Sequence, residues 1–319
     1  MGGKHHYLPQ FYLKGFCNEQ DKLIVCRTKY KTFNEFSTAS VYYKPGLNDV
    51  IIDGNVVAEL ETEVYKDWDD HYSKDFKRVL DKYNKDVDTL SFDDKKSVVE
   101  FVLSLYWRVP TSNQAVIDLI VEDGLLSSTL QLVNEETGAA YCDGDIPEII
   151  EKIKCCDETK KIFKLIFDTE NRLAYEWDKL EERFHLIETN IALIVGDIPF
   201  VPLRTSNKRG KILEEFIFPF TANKILVYAD KRHIPMFIET NVHHLFSTCV
   251  IESSDRVACS NKEFLKAMVN KHAEVKRMEN YMNRDIISFG NLAKLLMFES
   301  RFKSYEEFEN WYKMHHFLY

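Results

Sequence analysis

The chain has 319 residues, 45% apolar and 29% charged, with a net charge of −9. This suits a globular protein with a sizeable core and excludes extensive disorder. No apolar run approaches the length of a membrane span, and the opening Met1–His6 has neither the apolar stretch of a secretory signal nor a myristoylation pattern, so no membrane partner is expected.

Pro9 as a first helical residue and Gly15 near the end predict a short helix from Pro9 to Phe16. Lys22 to Lys29 reads as a strand, and Thr38 to Tyr43, closed by Pro45-Gly46, as a second extended segment. From Val57 to Tyr83 apolar residues recur at three and four, including Leu60, Val64, Trp68, Tyr72, Phe76 and Val79, the spacing of an amphipathic helix. Ser91 with Asp94 makes a capping box for the next helix. Its stripe is Val98, Phe101, Val102 and Leu105, and Pro110 stops it.

Residues 113–188 are expected to hold two or three further helices around a loop at 138–147, with Glu181, Glu182 and His185 as a helix-face charge group. The run Ile191–Val195 predicts a buried strand, ended by Gly196-Asp197-Ile198-Pro199. Glu215 to Phe220 and Lys224 to Tyr228 read as a hairpin. Helices are expected over 237–246, 261–273 (capped by Ser260 and Glu263), 285–298 and 305–316. The whole predicts an α+β fold, mainly helical with a small, largely antiparallel sheet. One composite domain over 1–319 would comprise a helical middle at about 57–188, strands from 1–50 and 189–260, and C-terminal helices over 261–319.

Charge is unevenly spread: residues 1–50 carry net +3, residues 51–200 net −16 and residues 201–319 net +4. A duplex-binding protein would be basic over a whole face, so nucleic acid is expected only at a local site where the two ends meet. A solvated acidic middle explains most of the asymmetry without any partner. Seven scattered cysteines without CxxC pairing favour reduced thiols and a cytoplasmic location.

Four residues stand out as candidates for chemistry. His5 and His6 carry imidazoles suited to proton transfer or metal ligation, yet adjacent side chains diverge, so one faces a site while the other packs, or both simply anchor the segment. Arg108 continues the apolar stripe of its helix, which demands a carboxylate partner or an anion unless it snorkels or meets the helix dipole. Asp197 follows a strand directly on a Gly-Asp-x-Pro turn, presenting an acid on rigid support or folding its own turn. Walker, GxGxxG, GxSxG, HExxH and cysteine-rich zinc motifs are all missing from the sequence.

His5-His6-Tyr7-Leu8-Pro9-Gln10-Phe11-Tyr12-Leu13, Tyr106-Trp107-Arg108-Val109-Pro110, Gly196-Asp197-Ile198-Pro199 and Ile217-Phe218-Pro219-Phe220 together resemble the bacterial family catalogued as domain of unknown function 4238. Asn241, ahead of Cys249-Val250, is a further match. The family often carries Asn where this chain has Ile198 and Gln where it has Leu105. The resemblance implies candidate residues and no reaction.

The expectation is therefore an intracellular hydrolase of a phosphate-bearing substrate, a nuclease or toxin-like defence effector. His5 or His6 would serve as acid or base, Arg108 would stabilise charge and Asp197 would orient the imidazole or hold a metal, with Gln10 and Asn241 binding substrate. A divalent metal cofactor is left open, as is a protein partner or homo-oligomer. The alternative is a non-catalytic sensor or adaptor whose His-rich segment is structural.

Overall fold

The computed structural model describes residues 3–52, 55–84, 89–123, 133–134, 136–204, 212–230 and 242–279. The fold is α+β, and every strand pair among the described residues is antiparallel. The order is β1 (Lys4–His6), α1 (Gln10–Lys14), β2 (Leu23–Arg27), β3 (Thr32–Phe36), β4 (Tyr43–Pro45), β5 (Val50–Ile52) and β6 (Asn55–Val57). Helices α2 (Lys66–Tyr83), α3 (Phe92–Arg108), α4 (Asn113–Asp123), α5 (Ile146–Cys155), α6 (Asp157–Leu173) and α7 (Leu180–Arg183) follow. Then come β7 (Phe184–Glu188), β8 (Val195–Gly196), β9 (Val201–Arg204), β10 (Glu215–Thr221), β11 (Lys224–Tyr228), α8 (Val242–Ser253), β12 (Arg256–Cys259) and α9 (Lys262–Glu279).

Two four-stranded sheets organise these elements, β3-β2-β12-β8 and β7-β11-β10-β9, with β1-β4 and β5-β6 as short ribbons. Helix α3 lies at the centre. Its capping box forms as the sequence predicts, and it ends at Arg108, where Val109 turns extended ahead of Pro110. Val98, Phe101, Val102 and Leu105 are buried, but so are Val99, Leu103 and Trp107, so the helix is enclosed rather than one-sided.

The aromatic N-terminal segment docks into this core. Tyr12 stacks on Phe218 with ring centroids 5.2 Å apart and donates a hydrogen bond to the Pro219 carbonyl at 2.8 Å. Phe76, Phe101 and Phe220 complete the cluster, tying α1, α2 and α3 to β10. Pro219 is tolerated inside that strand because the register shifts beside it.

Several elements differ from the sequence reading. Thr38–Ser40 is a 3-10 turn, not a strand, because Ser37 and Ser40 bond each other locally; the paired strand begins at Tyr43. Strands β3 and β12 form where no strand was predicted. Residues 55–57 pair in a ribbon, and the long helix opens with a π-helical turn at Leu60–Tyr65. Helix α7 stops at Arg183, so His185 sits on strand β7 against Val227 rather than on a helix. Of Ile191–Val195 only Val195 pairs. Asn261, not Ser260, caps α9 by accepting the Phe264 N–H at 2.9 Å. The helices predicted over 285–298 and 305–316 lie outside the described residues, as do residues 237–241.

Candidate functional site

Strand β1 and the bend after it deliver three consecutive residues to three different places. His5 is buried; its Nδ1 accepts the Asn48 backbone N–H at 3.0 Å and its Nε2 lies 3.6 Å from Asp49. It fastens the loop following β4. The His6 ring packs against Tyr43, its Nε2 buried without a hydrogen-bond partner among the described residues, and burial lowers its pKa against the opposing pull of Glu61. Tyr7 then turns toward Asp197 and donates its hydroxyl hydrogen bond to Asp197 Oδ1.

Asp197 is placed by the backbone around it. Gly196 precedes it in β8, wedged against α8 so closely that a Cβ there would lie 2.2 Å from Ser254 Oγ and 2.7 Å from Val250 Cγ1. Only glycine fits. The Asp197 N–H donates to the Arg256 carbonyl at 3.2 Å, and Asp197 Oδ2 accepts the Arg256 N–H at 2.7 Å. The Arg256 guanidinium closes the network, donating to Tyr7 Oη at 2.6 Å and to Asp197 Oδ1 at 3.3 Å. Burial, then the Asp197 charge, raises the Tyr7 pKa well above the phenol range, so Tyr7 stays a donor. Burial opposes the Arg256 charge, but Tyr7 and Asp197 outweigh it and raise its pKa.

This network borders a cleft of about 780 Å³. Lys29 and Lys31 reach it from the turn joining β2 and β3, Lys44 from β4, and His272 from α9. His272 Nε2 is hydrogen-bonded to Glu252 of α8 at 2.5 Å, and both side chains line the cleft. The lysines of this lining all come from residues 1–50, whereas residues 201–319 contribute Arg256 together with the carboxylates Glu252 and Asp255. Tyr42, buried between Tyr7 and β8, holds φ +52, a left-handed conformation rare for a bulky residue.

Arg108 occupies a different centre. Its guanidinium forks onto Asp69 through Nη1 and Nη2, Nη2 also donating to the His6 carbonyl at 3.1 Å, and it lies 4.8 Å over the Tyr65 ring. Burial works against its charge, but Asp69 prevails and raises its pKa. Asp168 of α6 sits nearby, both oxygens buried without a hydrogen-bond partner among the described residues, and Oδ2 lies 3.4 Å from Arg172 Nη2. Burial pushes its pKa up to about 7, against Arg172 and Arg108.

The expected assembly of an N-terminal imidazole with Asp197 and Arg108 is therefore not what forms. Asp197 holds Tyr7 and Arg256, and Arg108 touches only the backbone of His6. The reason is geometric: alternation along β1 sends His5 and His6 to opposite faces, and the bend that follows turns Tyr7 toward Asp197. Gln10 is exposed at the start of α1 and does not line the cleft, and Asn241 lies outside the described residues. Among the described residues no group of three His, Cys, Asp or Glu side chains is placed to hold a metal ion, and no helix is long and apolar enough to cross a membrane. All seven cysteines are free.

Sequence reading missed Arg256, Lys44 and the His272–Glu252 pair. The short apolar Val257-Ala258-Cys259 between Ser-Ser-Asp and Ser-Asn was the one local signal for β12 and hence for Arg256. The imidazole–carboxylate pair has no such signal, since two separate helices create it. A family model described as "Protein of unknown function (DUF4238)" matches residues 4–263. No curated protein and no solved structure matches the chain.

Proposed function

The chain belongs to the DUF4238 family, and we propose that it is an intracellular hydrolase acting on a phosphate-bearing substrate, a nucleic acid strand foremost, in the cleft beside Tyr7, Asp197 and Arg256. One observation carries this reading: Lys29, Lys31 and Lys44, none with a carboxylate partner among the described residues, share a cleft with an imidazole–carboxylate pair. Unpaired ammonium groups around a concave surface favour an anion. Glu252 fixes the His272 ring through Nε2 and leaves Nδ1 to accept a proton from an attacking water. Lys44 and Arg256 oppose the charge that builds on the phosphoryl oxygens, and the Tyr7 hydroxyl remains protonated throughout.

The test is binding and cleavage of end-labelled single-stranded RNA and DNA by the wild type, the Lys29→Gln/Lys31→Gln double variant and His272→Gln. The lysine variant is expected to bind about tenfold more weakly. His272→Gln is expected to bind normally and turn over about a hundredfold more slowly. Binding without cleavage in all three would instead favour a sensor or adaptor, and wild type that neither binds nor cleaves would refute the phosphate reading.

A further inference from the structure

A second, smaller pocket of about 320 Å³ lies on the far side of Lys44 and Pro110, which line both spaces. Lys44, Arg108, Lys161 and Lys164 line it, against the single carboxylate of Asp157, which is already bonded to Lys160 at 2.9 Å. Arg108 is consumed by Asp69, and Lys161 donates to the Asp49 carbonyl. Lys164 is the anomaly. It is 8% exposed and, among the described residues, has no carboxylate partner and makes one long hydrogen bond, 3.4 Å to the Val109 carbonyl at the end of α3. A buried ammonium with donors to spare is costly unless an anion completes it.

We infer that this pocket binds a doubly charged phosphate group, held by Lys161 and Lys164, with Lys44 on the wall it shares with the hydrolytic cleft. Three converging cations against one paired carboxylate give it a net positive field, and its volume admits a tetrahedral oxyanion. Burial, reinforced by Lys44, Lys160 and Lys161 and opposed by Asp157, brings the Lys164 ammonium down to about 8. A dianion beside Lys164 would offset this cost of burial. The inference stands whatever the cleft hydrolyses.

The experiment is a titration of the full chain with inorganic phosphate, ionic strength held constant with chloride, read as protection of individual lysines from an amine-acetylating ester by peptide mass spectrometry. Lys161 and Lys164 are expected to become protected together, at one phosphate concentration. In Lys164→Gln, protection of Lys161 is expected to need about tenfold more phosphate. The glutamine amide can still donate to Val109, so its melting temperature should hold or rise. Lys161→Gln, read at Lys164, gives the reciprocal measurement should the first variant fold poorly. Unprotected Lys161 in the wild type, or identical protection in Lys164→Gln, would overturn the inference. Lys29 reports the cleft separately, so failure of the hydrolytic reading is distinguishable.

Discussion

The chain contains two arginine–carboxylate pairs that touch consecutive residues of the same N-terminal segment, and they differ in accessibility. Arg108 with Asp69 grips the His6 carbonyl, the arginine side chain being 3% exposed. Arg256 with Asp197 grips the Tyr7 hydroxyl, and that arginine is 31% exposed at the wall of a cleft. The same ionic chemistry thus serves to fasten in one place and to present in the other. A buried guanidinium without its carboxylate is a large penalty, whereas a half-exposed one can re-solvate or meet a ligand.

Breaking the fastening pair should have the largest effect. Arg108→Gln leaves Asp69 unpaired and the His6 carbonyl without its donor, and is expected to cost about 3 kcal/mol in denaturant unfolding. A loss comparable to that of an exposed pair would erase the contrast. Asp168→Asn sharpens it from the same buried region. The folded carboxyl binds its proton up to about pH 7, while the unfolded one releases it near 3.8. The folded state therefore holds more protons in that window, and stability falls as pH rises through it. The asparagine variant should be about 2 kcal/mol more stable at pH 8 and nearly equal to wild type at pH 4. A pH-independent difference would contradict the assignment.

On the presenting side, Tyr7→Phe removes a hydroxyl that both donates and accepts, and is expected to cost about 1 kcal/mol by thermal or chemical melting. Arg256→Gln is expected to cost less than about 1 kcal/mol while weakening phosphate-ligand binding severalfold. If it instead destabilised the protein as strongly as Arg108→Gln, Arg256 would be a second fastener. His272→Gln is expected to shift stability least of all.

The legibility of these regions in the sequence follows from how local their causes are. Helix α3 was readable at both ends because Ser91, Asp94 and Pro110 act within a few residues. The hairpin of β10 and β11 was readable because two short apolar, strand-forming runs flank the turn Thr221-Ala222-Asn223. Strand β12 was not, since its four residues become a strand only by pairing with Leu23–Arg27 on one side and Val195–Gly196 on the other. The candidate site divides the same way. Asp197 was visible from its Gly-Asp-x-Pro turn and Arg108 from its place on an apolar stripe. Tyr7 was overshadowed by two adjacent histidines, and only the direction of the chain after β1 assigns it to Asp197. Glu252 and His272 are twenty positions apart on separate helices, a contact that no spacing rule reaches.

The proposed hydrolysis puts the working part of the molecule in the accessible network rather than the buried one. Cleavage of an end-labelled single strand, compared between wild type and His272→Gln at equal folded fraction, tests this most directly. The predicted result is turnover by the wild type and a loss of about a hundredfold in the variant with binding retained. Equal turnover by the two proteins, or none by the wild type, would contradict it.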